Sequence, residues 1–183
     1  MDDNPLLLEL EQHGRKDGIP VVSRETGRFL SVVVHAMQAN RILEIGTGYG
    51  LSTLYMALAQ PRMGRIWTID PDAGRTDVAL SYFRRAGEDD YIEIMNSATL
   101  ELLEIFPQRN LDIVFIDANP AEYRQYLDLV LPMLKLSGLV IIDDLYRDFD
   151  ATRDFNEYFL AHPQLDATIL PLSNGTGFGA RQK

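Results

Sequence analysis

The chain contains no cysteine. Disulfides, thiol nucleophiles and thiolate metal sites are therefore excluded. Its three histidines, His13, His35 and His162, lie away from the ends of the apolar runs, so a zinc centre is disfavoured. No apolar stretch approaches the roughly 18 residues that a bilayer span needs. The opening, "MDDNPLLLELEQHG", is acidic where a signal peptide would be basic, and its leucine cluster is too short for an h-region. A cytoplasmic location with no membrane partner is the expectation. Positive charge is also scarce: 17 Lys and Arg stand against 27 Asp and Glu, a formal net charge of −10. A phosphate backbone would be repelled on average, which disfavours nucleic-acid binding. The local basic pairs, Arg84-Arg85 and Arg62/Arg65, read as solvated surface. Neither an internal repeat nor a low-complexity segment is present. The 183 residues suit one core. We expect a single domain over 1–183, with a helical N-terminal segment, 1–38, and a core, 41–183.

What is present is an alternation. Near-continuous apolar runs at 41–45, 65–69, 91–95, 111–116 and 138–142 predict strands buried on both faces. Amphipathic runs at 50–60, 74–86, 98–106, 121–135 and 151–161 predict the helices between and after them. Strand and helix repeated in this order predict an α/β fold with a mostly parallel sheet. The end of the chain breaks the pattern. Strands are expected at 165–170 and 177–181, joined by "PLSNGT", which is too short for a parallel crossover. Its Asn174-Gly175 pair is a turn signal, so the last two strands should pair antiparallel. Before residue 41, helices are expected at 4–13 and 24–38.

The stretch "RILEIGTGYG" (41–50) runs a strand into a glycine-rich turn, the usual place for a nucleotide. Gly46, Gly48 and Gly50 give G-x-G-x-G, and the position that a dinucleotide fingerprint needs as glycine is Leu51. Glu44 lies inside the apolar run, where a carboxylate costs several kcal/mol unless a cation or several donors meet it. It would repel a pyrophosphate and attract the ammonium of an amino acid. S-adenosylmethionine carries that ammonium and a sulfonium, and no phosphate. The alternative is a salt bridge from Glu44 to a helix arginine. Asp70 ends the next strand, 24 residues after Gly46, where a carboxylate can accept both ribose hydroxyls. A plain helix cap is the other reading of Asp70-Pro71-Asp72. A nicotinamide-dependent oxidoreductase is the rival class, and Leu51 and Glu44 argue against it.

Ligands of open α/β sheets sit at the carboxyl ends of the strands. Glu44, Asp70, Asp117, Asp143 and Asp144 all fall there, and five carboxylates on one rim repel one another. Three hard oxygen ligands, Asp117, Asp143 and Asp144, suit Mg²⁺, Mn²⁺ or Ca²⁺. They could equally cap the helices that follow or bind backbone N–H groups.

These residues resemble a known family, the cation-dependent O-methyltransferases of the catechol and caffeoyl-CoA type, especially their small bacterial members. The resemblance runs from about Ile19 to the C-terminus. It rests on "IPVVSRETGRFL", "RILEIGTGYGLSTLYMA", "TIDPD", "LDIVFIDANPAEYRQYLDLVLPMLKLSGLVIIDD", "TRDFNEYF" and "GTGFGARQK" together. It implies a Rossmann-like class I S-adenosylmethionine-dependent methyltransferase, with a seven-stranded, mostly parallel sheet and an antiparallel last strand. The residues 41–183 then form the cofactor-binding core. The resemblance places Glu44, Gly46 and Ser52 at the methionine end, with Thr47 and Gly48, and Asp70 on the ribose beside Pro71. Val22 approaches from the N-terminal segment, Ala98 meets the adenine, and Asp117 borders the cofactor. Asp117, Asp143 and Asp144 fall on the family's metal positions, the last of them usually Asn.

Two departures stand out. The family commonly has a lysine three residues after the first metal aspartate, and here that residue is Pro120, so no catalytic base is assigned. The chain also reaches "TRDFNEYF" sooner after Asp144 than the family does, which shortens the segment that covers the substrate. The reaction implied is metal-assisted methyl transfer to a hydroxyl of a small, catechol-like or vicinal-oxygen substrate. Without the lysine, Tyr123, Tyr146 or water would have to assist the metal, although both tyrosines read first as packing residues. The alternatives are methylation of a modified tRNA base and a binding module of reduced catalytic power. The helical N-terminal segment makes a homodimer plausible.

Overall fold

The computed structural model describes residues 4–182. Its seven strands are β1 (Arg41–Ile45), β2 (Arg65–Ile69), β3 (Ile92–Met95), β4 (Leu111–Ile116), β5 (Leu134–Ile142), β6 (Leu165–Leu170) and β7 (Thr176–Arg181). They form one sheet in the order β3-β2-β1-β4-β5-β7-β6. Among the described residues no helix is long and apolar enough to cross a membrane. The chain divides into two compact units, 1–40 with 46–98, and 41–45 with 99–183.

The first unit holds α1 (Pro5–Lys16), α2 (Arg24–Met37), α3 (Leu51–Ala57) and α4 (Ala73–Ala86) with β2 and β3. Its helices start where side chains supply the missing acceptors. Asn4 Oδ1 accepts from the Leu6 N–H at 3.0 Å, with Pro5 at the first helical position, and Ser23 Oγ accepts from the Thr26 N–H at 3.0 Å. Two of the helices end on left-handed residues, α2 on Gln38 and α4 on Gly87. β2 and β3 run parallel from Ile66↔Ile92 to Ile69↔Met95. Leu10, Leu30, Val34, Leu54, Ile66, Ile69 and Phe83 are fully buried and form the core of this unit.

The second unit holds β1, α5 (Thr99–Ile105), β4, α6 (Tyr123–Val130), β5, α7 (Phe149–Leu160), β6 and β7. β1 and β4 pair parallel with Ile45↔Ile116, and β4 and β5 pair parallel with Ile116↔Ile142. β7 runs antiparallel to both its neighbours, with Ile142↔Gly177 on one side and Leu165↔Arg181 on the other. The expected antiparallel end of the sheet is therefore present. At the amino ends of these strands the buried Asp112 accepts from the Arg41 N–H at 2.9 Å and pairs with Lys135.

Most boundaries shift by three residues or fewer, as where α1 runs to Lys16 and α3 ends at Ala57, and two elements differ by more. The helix predicted over 121–135 ends at Val130, and short 3₁₀ turns flank it at Pro120–Glu122 and Leu131–Met133. Pro120 and Pro132 explain both boundaries, since proline lacks the N–H that a helix interior needs. β5 begins at Leu134, earlier than the expected 138, with its register against β4 shifted between Leu111 and Ile113 and a left-handed Ser137, φ 61°. An irregular strand of this kind does not read as a continuous apolar run.

Gly50, between the turn and α3, is required twice. Its φ is +85°, and a Cβ there would lie 2.6 Å from the Phe83 ring. Gly50→Ala is expected to lower unfolding free energy by about 2–4 kcal/mol, combining a left-handed alanine with overpacking. A urea melt checks this, and a loss below about 0.5 kcal/mol would refute the double constraint.

Candidate functional site

In the first unit the glycine turn is built on backbone that only glycine adopts readily. Gly46, Gly48 and Gly50 have φ of 99°, 51° and 85°. The Gly46 N–H donates to the Ile69 carbonyl at 2.9 Å, and the Gly50 N–H to the Thr47 carbonyl at 2.8 Å. Thr47 Oγ1 lies 2.6 Å from Thr68 Oγ1 in the interior. Asp70, 6% exposed, accepts from the Gly48 N–H at 2.8 Å and from the Asp72 N–H at 2.9 Å, one bond on each carboxylate oxygen. A carboxylate has about four acceptor directions, so two remain. The cap of α4 is Asp72, whose Oδ1 accepts from the Arg75 N–H at 3.2 Å. Asp70 is thus fastened to the turn, and the capping duty falls two residues later. Asn96 donates to the Asp70 carbonyl at 3.0 Å and to Thr76 Oγ1 at 2.7 Å. Val22 and Ser52 are buried, while Pro71 and Ala98 are exposed. The basic pairs are surface groups: Arg85 binds Glu9, Arg84 lies 3.9 Å from Asp89, and Arg65 donates to the Asp90 carbonyl.

In the second unit the parallel register sets the acids. Ile45, Ile116 and Ile142 are level, and the ladder continues one step further. The Asp117 N–H donates to the Ile45 carbonyl and the Asp143 N–H to the Ile116 carbonyl, each at 2.9 Å. Asp117 and Asp143 therefore follow directly from strand ends, and Glu44, fully buried, precedes one. The Asp117 carboxyl is pushed up to about 8, first by its enclosure in protein, then by Asp143, Asp144 and Glu44, against a smaller pull from Arg147.

Two of the later aspartates, Asp143 and Asp144, already have side-chain partners. Asp143 Oδ1 accepts from Thr176 Oγ1 at 2.8 Å. Asp144 is left-handed, φ 63°, a conformation that Asp and Asn tolerate better than most residues. Its Oδ1 accepts from Asn174 Nδ2 at 3.0 Å, and its Oδ2 pairs with Arg147 Nη1 at 2.9 Å. Among the described residues no group of three or more His, Asp or Glu side chains is arranged to hold a metal ion. Tyr123 is fully buried, donates to the Asp143 carbonyl at 3.0 Å and meets the Phe155 ring edge-on. Burial, then Asp117, raises its hydroxyl pKa far above the usual range, so it stays protonated. This is the packing role, and it is not that of a base. Tyr146 is 47% exposed, and its ring covers Gly175, where a Cβ would come within 2.5 Å. Pro120 opens a 3₁₀ turn capped by Asn119, whose Oδ1 accepts from the Ala121 N–H at 3.2 Å.

Sequence reasoning missed Arg147, Asn174 and Thr176 as partners of the aspartates. One signal was available: an antiparallel β7 beside β5 carries the Asn174-Gly175 turn to the end of β5, and the Leu145 N–H bonds the Gly175 carbonyl at 3.0 Å.

A mostly parallel seven-stranded sheet with a reversed last strand, entered by an acid-bearing first strand that runs into a glycine turn, defines the class I methyltransferase architecture. The chain belongs to the O-methyltransferase family, whose model matches residues 1–176, and it is a methyltransferase of that family. A catechol O-methyltransferase of Niastella koreensis is 31% identical, over 93% of this chain and 85% of its own length. A catechol O-methyltransferase of Mycobacterium tuberculosis is 30% identical, over 81% and 73%. The crystal structure of an O-methyltransferase from Bacillus cereus in complex with SAH superimposes with a TM-score of 0.89 at 26% identity, over 98% of this chain and 92% of that one.

Thr176→Val removes a donor from the buried Asp143 carboxylate while keeping shape. It is expected to cost about 1–3 kcal/mol. Equilibrium unfolding checks this, and a neutral result would show that Asp143 does not need the hydroxyl.

Proposed function

We propose that this chain moves a methyl group from S-adenosylmethionine to a hydroxyl of a small substrate with two adjacent oxygens, catechol-like in chemistry, with a divalent cation assisting. The observation that carries the reading is the family match over residues 1–176. The Bacillus cereus neighbour, with its SAH, supports the choice of cofactor. In this reading Glu44 draws the ammonium of the methionine end. Gly46, Thr47 and Gly48, in the turn, and Ser52, on α3, are assigned to the same end of the cofactor. Asp70 offers its two remaining acceptor directions to the ribose hydroxyls, beside Pro71. Val22 and Ala98 meet the cofactor from their own segments, and Asp117 borders it.

The donor chemistry of Asp117, Asp143 and Asp144 fits a hard cation, since all three offer carboxylate oxygens. Asp144 fits only after exchanging its Arg147 partner. When bound, such a cation lowers the pKa of a coordinated hydroxyl and offsets the charge of the rim. The chain's own residues align the substrate oxygen with the methyl group, and alignment alone can supply roughly 7–11 kcal/mol of the barrier. With Pro120 in the usual lysine position and Tyr123 held protonated, proton removal falls to water or to the exposed Tyr146. A cytoplasmic location and a homodimer through the N-terminal helices belong to the same reading. Sedimentation at the mass of one chain would refute the dimer.

Two observations favour a second reading, a cofactor-binding module with reduced chemistry: Pro120, and the pairing of Asp144 with Arg147. Methylation of a modified tRNA base is disfavoured by the net charge of −10.

Methyl transfer to catechol is expected with Mg²⁺ and is expected to fall at least about tenfold with excess chelator. Equal rates would remove the cation from the reaction. SAH binding without any Mn²⁺ binding would favour the second reading. Arg147→Ala is expected to tighten Mn²⁺ about three- to tenfold by removing a competing charge, measured by calorimetry. Weaker or unchanged binding would show that Arg147 does not compete.

A further inference from the structure

The N-terminal helix reaches the glycine turn through one side chain. Tyr49, 9% exposed, sits between the left-handed Gly48 and Gly50. Its hydroxyl donates to Asp17 Oδ2 at 2.9 Å, and Asp17 is the residue that ends α1. His13, one helical turn earlier, meets the Tyr49 ring at 5.2 Å between centroids, and its Nε2 lies 3.3 Å from the same Asp17 oxygen. The other ring nitrogen of His13 lies 3.0 Å from the Tyr82 hydroxyl on α4. Tyr82 in turn donates to Glu9 at 3.3 Å, and Glu9 is gripped by both ends of the Arg85 guanidinium, at 2.7 and 2.6 Å. One chain of contacts therefore runs from α4 through α1 to the turn.

The turn needs such an anchor. Three of its five residues are glycines at positive φ, and glycine loses more freedom on ordering than any other residue. A loop of this composition does not hold its own shape. The Gly46 and Gly48 amides are fixed on the end of β2, by the Ile69 carbonyl and Asp70, and the Gly50 amide from within by the Thr47 carbonyl. Thr47 and Tyr49 are the only side chains in the turn, and Thr47 is fixed on Thr68. Tyr49 is the remaining handle, and α1 holds it.

We infer that the Tyr49–Asp17 hydrogen bond, buttressed by His13, is a positioning device that keeps the glycine turn in its ligand-ready shape. Tyr49 and Asp17 thereby set affinity for the adenosyl cofactor without touching it. The inference rests on the reading that this turn takes S-adenosylmethionine. Holding a loop in its bound shape lowers the entropy lost on binding. A side chain that only packed α1 against the core would act through its ring, and loss of the hydroxyl would then show in melting temperature alone.

The test uses the full chain and calorimetry with SAH. Tyr49→Phe and Asp17→Ala are each expected to weaken SAH about five- to tenfold, the effect of losing a hydrogen bond to a charged acceptor. The double variant should be no weaker than either single one, because the two groups act as a pair. Asp17→Asn should recover part of the affinity, since its amide oxygen still accepts. The KM for S-adenosylmethionine should rise with kcat nearly unchanged. Amides 46–50 should exchange faster with solvent in Tyr49→Phe. Arg85→Ala, which breaks a contact exposed on both sides, should leave SAH affinity as it was. If the wild-type chain binds SAH and Tyr49→Phe binds it equally well, the inference is overturned and the cofactor reading stands. If the wild-type chain does not bind SAH, the cofactor reading fails and takes this inference with it.

Discussion

Repulsion among carboxylates at the ends of parallel strands is the constraint on which the candidate site depends. Parallel pairing of β1, β4 and β5 makes Ile45, Ile116 and Ile142 level. The residues just after the last two, Asp117 and Asp143, cannot then avoid each other, and Glu44 lies one step before the end of the third strand. The Asp117 carboxyl, pushed up to about 8 first by burial, carries this repulsion as the second cause of its shift. The amino ends of the same strands supply the contrast. There the buried Asp112 has a lysine and a backbone N–H, and no such crowding arises. A fold gains nothing from setting like charges together, and on the proposed reading the crowding belongs to what the rim receives.

The partners of the rim acids are graded in the same direction. Thr176 gives Asp143 a neutral hydroxyl, Asn174 gives Asp144 a neutral amide, and Arg147 brings charge to Asp144. Arg147 is three residues from Asp144 and largely exposed, and exposed pairs of this kind are worth little. Asp143 and Asp144 are thus oriented by neutral donors, and Asp144 is paired only loosely with a cation. On the proposed reading, Asp144 is the group that exchanges one cationic partner for another.

Much of this was legible in the sequence. β1, β2, β4 and β6 begin and end at the predicted residues because each is a short run bounded by polar or turn residues, with no competing helical pattern. The reversed end of the sheet followed from the length of one loop. The glycine turn and the acids after the strands were visible because both are departures from an apolar pattern. What stayed hidden depends on pairing between distant segments. Asn174 reads as a turn residue until β7 is placed against β5. The 121–135 helix reads as continuous because amphipathic period outlasts the true helix, and Pro132 marks the break only when its missing N–H is counted. Asp17 reads as an ordinary helix end until Tyr49 is seen to reach it.

The two groups of candidate residues are held by different physics. The acids of the second unit are set by strand register, which a one-residue slip would destroy by moving every side chain to the other face. Beyond the strand ends, Thr176 and Asn174 complete the hold on Asp143 and Asp144. The glycine turn of the first unit has no register to hold it, and its freedom is what lets backbone approach a ligand closely. A turn with that freedom binds weakly unless something outside it limits the shapes it samples. The segment before the sheet supplies that limit, with a charged acceptor at a helix end and a phenol inside the turn. On the proposed reading the N-terminal helix then acts on cofactor binding through the turn.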